Sequence, residues 1–145
     1  MALRPIYLSL DQVKNVGSEA SRSIENAGKI FYKDHFIFIS ERGEGVHIVN
    51  NTDPSNPINV AFIRIPANND VAVKDNILYA DNGPDLLAFD ISDPTSVVLT
   101  TRSEDVFPPV LFPEERGVQF ECVDETKGIV VGWEEVELQD PACSR

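Results

Sequence analysis

Short runs of apolar residues, separated by turn-forming residues, recur along the chain from residue 27 onward. The first four runs occupy residues 29–32, 35–40, 46–50 and 59–65. They are rich in β-branched and aromatic residues, which favour strands. The intervening segments are rich in Gly, Asp, Asn and Pro, which favour turns. The pattern predicts a meander of short antiparallel strands.

The same order of strands and turns is repeated further along the chain. Asp53-Pro54 and Asp93-Pro94 lie 40 residues apart, each shortly after a predicted strand, and we expect both pairs to fix turns. Two runs, residues 36–39 and 86–89, are apolar at consecutive positions, which predicts burial on both faces of a sheet. The chain is therefore expected to repeat a four-strand unit of roughly 45 to 50 residues.

This pattern divides the chain into five segments. They are an N-terminal strand with a polar lead-in (1–26), a first repeat (27–66), a second repeat (67–105), a Pro-rich apolar loop (106–117), and a partial third repeat with an acidic tail (118–145). The expected fold class is all-β, a propeller-like array of about two and a half four-stranded antiparallel blades that forms an incomplete ring.

Two segments carry a family resemblance. Residues 45–57 and 85–94 resemble the LVIVD repeat, in which a Gly and an apolar strand ending in Asp precede Ser-Asp-Pro-Ser-x-Pro. Residues 29–39 are similar to the sequence before the first such repeat in bacterial LVIVD-containing proteins. This chain differs at Asn50, where the repeat has Asp, and at Val97, where it has Pro. The resemblance implies an exported, often lipid-anchored β-propeller of unknown function at the cell surface, usually longer than this chain.

The number of repeats affects how the predicted sheets can be covered. Two and a half units are too few to close a ring, because propellers typically need about four blades or more. Repeats without caps leave apolar faces and strand edges exposed. We therefore expect either a piece of a longer protein or copies that associate, as a closed dimer or as an open stack such as a filament.

Charge and hydropathy limit the partners. The chain has 24 acidic and 12 basic residues, a net charge of −12, which would repel nucleic acid and anionic lipid. No segment approaches the roughly 20 apolar residues that cross a bilayer, so membrane insertion of this chain is not expected.

No export leader is visible at residues 1–11. The expected location at the cell surface, in the periplasm or outside the cell follows from the family resemblance alone.

Few residues are candidates for metal or redox chemistry. Cys122 and Cys143 lie 21 residues apart without a CxxC pair, which favours a core thiol and a tail thiol, while export would allow a disulfide. Asp81 and Asp85 flank a Gly turn and are weak calcium candidates, although the spacing is not that of an EF-hand and a solvated turn is favoured. His35 and His47 lack a third zinc ligand. No other cofactor is expected.

The function predicted from these observations is non-enzymatic. The sequence contains no Gly-x-Ser-x-Gly motif, no Cys with a nearby His and no Gly-rich phosphate loop, so motifs for nucleophilic catalysis are missing. We expect a surface or extracellular binding or assembly scaffold that binds itself or another protein. The alternative is part of a larger propeller enzyme or ligand-binding lipoprotein whose site forms where blades meet.

One loop is a candidate contact surface. Residues 106–113 contain too many prolines for a central strand, because Pro donates no hydrogen bond to the sheet. The same loop carries Phe107, Leu111 and Phe112. Apolar residues on a stiff extended segment either pack over the end of the array, which is the favoured interpretation, or dock on a neighbouring molecule.

Overall fold

The computed structural model describes residues 1–145 and is all-β. The strands are β1 (Ala2–Leu8), β2 (Gly17–Glu19), β3 (Ala27–Lys33), β4 (Phe36–Glu41), β5 (Gly45–Asn50), β6 (Ile58–Arg64), β7 (Val71–Lys74), β8 (Ile77–Asn82), β9 (Asp85–Asp90), β10 (Val98–Ser103), β11 (Gln119–Phe120), β12 (Ile129–Val136) and β13 (Cys143–Ser144). The helices are α1 (Leu10–Val13) and a 3-10 turn (Glu125–Lys127). Neither helix is long or apolar enough to span a membrane.

The strands form three sheets. Sheet 1 has the order β2-β6-β5-β4-β3, sheet 2 the order β10-β9-β8-β7, and sheet 3 the order β12-β1-β11-β13. All neighbouring strands are antiparallel except β1 and β11, which are parallel. The all-β prediction is confirmed at this level, as three sheets of four or five strands.

Sheets 1 and 2 repeat the same local geometry. The N–H of Asn51 donates to the carbonyl of His35 (2.7 Å), and the N–H of Ile91 donates to the carbonyl of Asn76 (2.9 Å). The tight turns before β4 and β8 contain Asp34 (φ 54°) and Asp75 (φ 53°) at matching positions, a conformation that Asp tolerates better than most residues. The repeated strand order predicted from the sequence is therefore present in the structure.

The main core lies between sheets 1 and 2. Each sheet contributes one apolar face, and the two faces pack together as in other stacked sheets. The buried residues of this core are Phe38, Val46, Ile48, Ile63, Ile65, Val71, Leu78, Ala80, Leu87, Phe89 and Ile91. β3 also lies against β7, so the two repeats pack along their length.

Burial on both faces is found on a different strand from the two that were predicted. In residues 36–39 only Phe38 is buried, and in residues 86–89 only Leu87 and Phe89 are buried. Ile37, Ile39, Leu86 and Ala88 are half-buried because they lie on the outer faces of the two sheets. Phe36 is half-buried against the main core. Residues 45–49 of β5 are buried on both faces.

Sheet 3 is built from both ends of the chain. β1 pairs with β12 over the register from Ala2↔Val136 to Leu8↔Ile129. Phe120 and Trp133 pack edge to face, with their ring centroids 5.5 Å apart. The predicted lead-in segment thus supplies β1 to sheet 3 and β2 to sheet 1.

Buried polar contacts connect the lead-in to sheet 2. Val13 is fully buried, and its carbonyl accepts a hydrogen bond of 2.9 Å from Asn82 Nδ2. The same amide donates to the carbonyl of Pro66 at 2.7 Å. Asn82, at the end of β8, therefore joins sheet 2 to α1 and to the segment before β7.

Candidate contact surface

The loop of residues 106–117 is held at both ends and exposed between them. At its start, the N–H groups of Val106 and Phe107 donate to the carbonyl of Pro84, at 2.9 and 3.0 Å. At its end, Gly117 N–H donates to the carbonyl of Arg145, whose own N–H donates to Val118 (3.0 Å). The loop is therefore anchored to sheet 2 at one end and to the C-terminal segment at the other.

The three predicted contact residues lie on the exposed part of this loop. Phe107 is 39 % exposed, Leu111 41 % and Phe112 49 %. The guanidinium of Arg145 lies 4.1 Å from the centre of the Phe112 ring, in a cation–π arrangement. The favoured expectation was that these side chains pack over the end of the array, but all three are exposed and do not form a closed cover. Their role as a contact surface stays a prediction.

A disulfide joins the two cysteines. Cys122 and Cys143 are bonded, with Cα atoms 5.3 Å apart, so the expectation of two free thiols is wrong. Strand pairing explains this result, because β13 lies beside β11 with Phe120 opposite Cys143. The bond holds the C-terminal strand in sheet 3, and Arg145, two residues beyond Cys143, reaches the loop.

The calcium candidates are bonded to protein donors. Asp81 Oδ1 accepts hydrogen bonds from Asn68 Nδ2 (2.9 Å) and from the N–H groups of Asn69 (2.8 Å) and Asp70 (2.9 Å). Burial raises the pKa of Asp81, although these donors partly offset it. Asp81 thus organises the chain that enters β7, and the calcium interpretation of this residue stays a prediction.

Asp85 has a comparable structural role. It is buried, and its Oδ2 lies 2.7 Å from Arg102 Nη1 while its Oδ1 accepts from Asp105 N–H at 3.1 Å. Arg102 also donates to Asn82 Oδ1 at 2.9 Å. Asp85 therefore ties the end of β10 to the turn that precedes β9. No group of three or more acidic, His or Cys side chains is arranged to hold a metal ion.

The Asp-Pro pairs fix turns as predicted. Asp53 Oδ1 accepts hydrogen bonds from the Oγ (2.6 Å) and the N–H (3.1 Å) of Ser55. Asp93 makes the same contacts with Thr95, at 2.6 and 3.0 Å. These hydrogen bonds, the hydroxyl one first, lower the pKa of both carboxyls.

A buried Glu–His pair was not predicted from the sequence. His47 Nε2 lies 2.9 Å from Glu41 Oε1, and both side chains are almost completely buried. Glu41 also accepts from the N–H groups of Glu25 (2.8 Å) and Asn26. His35 lies in the exposed turn before β4, so the two histidines do not share a surface.

The electrostatics of Glu41 favour its ionised form. Burial alone would raise the pKa of this carboxyl, but the hydrogen bonds from Glu25, His47 and Asn26 together hold it below its ordinary value of 4.5. The pair fastens the segment before β3 onto the outer face of sheet 1. In the sequence, residues 41–45 have the composition of an ordinary solvated acidic turn. The Glu41–His47 pair can therefore be recognised only from its contact in the folded structure.

Replacing Glu41 by glutamine should lower the free energy of unfolding at neutral pH by about 2 kcal/mol, since it weakens hydrogen bonds to a buried charged group. A carboxyl with a lowered pKa stabilises the fold above its ordinary pKa and loses this effect as the pH falls through its folded-state pKa. Urea unfolding should therefore show a smaller difference between wild type and Glu41→Gln at about pH 3 than at neutral pH.

The matched control is Glu44→Gln, in the same turn but with a side chain that is 57 % exposed. This change should cost about 0.5 kcal/mol or less at both pH values. The assignment is contradicted if Glu41→Gln and Glu44→Gln have equal effects at neutral pH.

The family comparison agrees with the repeat in sheet 2. Residues 67–105 match the family model described as the LVIVD repeat, and this range encloses β7 to β10, all four strands of that sheet. No curated protein and no solved structure matched the chain. The match covers the second of the two segments whose motif resembles the repeat. Sheet 2 is thus an LVIVD repeat, and the chain is consistent with an LVIVD-repeat protein.

Proposed function

We propose that this protein is a non-enzymatic, exported binding and assembly scaffold, built from LVIVD-type repeats stacked like propeller blades. In this proposal copies associate through the loop of residues 106–117. The observation that carries it is the exposure of Phe107, Leu111 and Phe112 on a segment whose two ends are anchored. Clustered apolar side chains at a surface are typical of interaction sites.

Three acidic side chains have structural roles of the kind that a scaffold requires. Asp81, Asp85 and Glu41 are occupied with hydrogen bonds that hold turns and chain segments. Such contacts stiffen a frame on which a loop can be presented. The proposal therefore assigns binding to the loop and rigidity to the sheets.

The disulfide supports an exported location. Cys122 and Cys143 form a bond, and disulfides persist mainly in oxidising compartments such as the periplasm or the cell exterior. The net charge of −12 argues against nucleic acid as a partner. We therefore propose a protein partner, and a second copy of this chain is the simplest one.

The expected association is weak. Burying the exposed half of an aromatic or leucine side chain contributes about 1 kcal/mol. The three loop residues of both copies together would supply about 6 kcal/mol before the costs of association, so dissociation constants of about several hundred micromolar or weaker are expected. Self-association must therefore be measured at protein concentrations on the order of several hundred micromolar.

Light scattering against concentration tests the proposal. We expect wild type to exceed its monomer mass of 16.1 kDa and to grow with concentration. The triple variant Phe107→Ser, Leu111→Ser, Phe112→Ser should associate less while keeping its thermal midpoint, since exposed loop residues contribute little to stability. A wild type that stays monomeric at all concentrations would refute the proposal.

The matched control changes three apolar residues of sheet 2 with similar exposure. They are Tyr79 (39 %), Leu99 (41 %) and Val98 (56 %). The variant Tyr79→Ser, Val98→Ser, Leu99→Ser should associate like wild type. Equal loss of association in both triple variants would mean that apolar surface in general, and not the loop, drives assembly.

A further inference from the structure

Sheet 1 has one strand more than sheet 2. β2 is the fifth strand of sheet 1, and it pairs antiparallel with the outer side of β6, from Gly17↔Arg64 to Glu19↔Phe62. β10 takes the place of β6 in sheet 2, but it is the edge strand, and no strand pairs with its outer side. The backbone groups on that side therefore have no ladder partner and can pair with an added strand.

The repeat allows β6 and β10 to be aligned residue by residue. The second residues of β5 and β9 lie opposite Ile63 and Ser103, respectively. Ile63 and Ser103 are therefore equivalent. Residues 62–64, which pair with β2, correspond to residues 102–104, which pair with no strand on their outer side.

The bulge in β10 does not close this edge. β6 and β10 each have one extra residue at the equivalent point, between Asn59 and Ala61 and between Leu99 and Thr101. Bulges on an edge strand usually hinder pairing, but β2 pairs with β6 beyond its bulge. Residues 102–104 lie beyond the bulge of β10 in the same way.

The outer side of β10 is open to solvent. Five of the six residues of this strand are exposed, and the strand contains neither Lys nor Pro, the residues that commonly protect edges. The sixth is Arg102, whose guanidinium is bonded to Asp85 within sheet 2. The chain then leaves β10 toward β9, because Val106 N–H donates to the carbonyl of Pro84. The loop therefore does not run along the open edge.

The ion pair at this position has opposite signs in the two sheets. In sheet 1, Arg64 Nη1 lies 2.7 Å from Glu19 Oε2, so a basic residue of β6 holds an acidic residue of the added strand. In sheet 2 the residue equivalent to Arg64 is Glu104, and its Oε1 lies 3.2 Å from Lys14 Nζ. Glu104 thus accepts an ammonium group at the point where Arg64 accepts a carboxylate.

The surroundings of Glu104 also favour a basic partner. The Glu104 side chain is 62 % exposed, so it is accessible to a further cation. Asp105 follows it, and Arg102 is neutralised by Asp85, 2.7 Å away. This end of β10 is therefore acidic, within a chain of net charge −12. Complementary charge attracts a segment rich in Lys or Arg and repels an acidic one.

We propose that the outer edge of β10, centred on residues 102–104, binds an extended basic segment of a partner protein as a fifth, antiparallel strand of sheet 2. Main-chain hydrogen bonds supply the affinity, and Glu104 supplies the preference for lysine or arginine, as in complexes formed by strand addition. The site goes beyond the self-association proposed above, because it lies on a strand edge and does not use the apolar loop.

An NMR titration with the synthetic peptide acetyl-Lys-Thr-Lys-Thr-Lys-amide tests the site. Threonine favours the extended conformation. We expect the amide resonances of residues 98–104 to shift, with a dissociation constant on the order of 1 mM because the ladder is short. The resonances of β3, an edge strand that carries Lys29 and Lys33, should not move. The acidic peptide acetyl-Glu-Thr-Glu-Thr-Glu-amide should not bind.

Two controls separate strand addition from attraction by charge alone. The same basic peptide with N-methylated backbone amides keeps its charge but donates no ladder hydrogen bonds, so its dissociation constant should rise about tenfold or more. The variant Glu104→Lys should weaken binding of the unmodified peptide about tenfold. Glu137→Lys, at an exposed position with the same change in net charge, should stay within about twofold of wild type.

The outcomes distinguish this site from the proposed function. Equal binding of the unmodified and N-methylated peptides, or no shift at residues 98–104, would overturn the strand site and leave the loop proposal intact. Shifts of these resonances that grow with protein concentration without peptide would mean that the edge receives a second copy, which would overturn the basic partner. The variant Phe107→Ser, Leu111→Ser, Phe112→Ser should bind the peptide like wild type, so failure of loop association leaves this site in place.

Discussion

Replacing Gly45 by alanine should lower the free energy of unfolding by about 4 kcal/mol, enough to remove much of the stability of a typical domain. Gly45 has a φ of 146°, which residues with a side chain rarely adopt. An added Cβ would lie 1.9 Å from the carbonyl oxygen of Ile63 and 2.9 Å from the backbone nitrogen of Ile65. These backbone atoms belong to β6 and the residue after it, so they cannot move without breaking sheet 1. Urea unfolding followed by circular dichroism measures the loss.

Gly43 provides the matched control in the same turn. Its φ is 79°, but an added Cβ would meet nothing within 4 Å. Gly43→Ala should therefore cost only the left-handed backbone term, about 1 kcal/mol. If both variants lose the same stability, the close approach of β5 and β6 is not the reason for glycine at residue 45.

Gly45 also shows which part of the fold the sequence could predict. Local chemistry determines the turns, so Gly45, Asp53-Pro54 and Asp93-Pro94 are recognisable in the sequence as parts of the repeat motif. The motif extends only over residues that are near one another in the chain. It therefore predicted the four strands β3 to β6 and the four strands β7 to β10, but not β2 of sheet 1. It also predicted the LVIVD repeat, which the family comparison confirms at residues 67–105.

Contacts between distant residues were not predictable in this way. Ala2 pairs with Val136 across sheet 3, and nothing in the short N-terminal strand specifies a partner so far along the chain. Glu41 resembles other acidic turn residues in sequence, yet it is buried against His47 because residues 25 and 26 cross over it. Apolar periodicity predicts that a face is buried, but it does not predict which segment covers it.

The candidate surfaces illustrate the same limit. The composition of the loop identified Phe107, Leu111 and Phe112, but composition could not distinguish an intrachain cover from an exposed arm. The exposure of Ile30 and Tyr32 on sheet 1 was not predicted, because residues 29–39 are as apolar as a buried hairpin. Only the comparison of Ile30 with Val71, at equivalent positions of two sheets, shows that one face is covered and the other is open.

Replacing both Cys122 and Cys143 by serine should lower the free energy of unfolding by about 3 kcal/mol, the chain-entropy estimate for a cross-link that closes a loop of about 20 residues. β13 pairs with β11 over two register pairs, Gln119↔Ser144 and Phe120↔Cys143, and the hydrogen bonds of Arg145 with residues 117 and 118 extend this short ladder. The disulfide is the covalent link that holds it in sheet 3. Trp133 is the only tryptophan and packs on Phe120, so its fluorescence should report the lower urea midpoint.

Reduction of the wild type should reproduce this shift and leave the double variant unchanged, which separates the bond from the substitutions. The control Ala142→Ser, at an exposed neighbouring position, should change stability by about 0.5 kcal/mol or less.

Loss of the bond should also release Arg145 from Phe112 and from the loop end that it anchors. The loop would then lose its fixed orientation, so the double variant should associate less than wild type although all three loop residues are intact. Unchanged association together with a lowered midpoint would mean that the disulfide stabilises sheet 3 without positioning the loop.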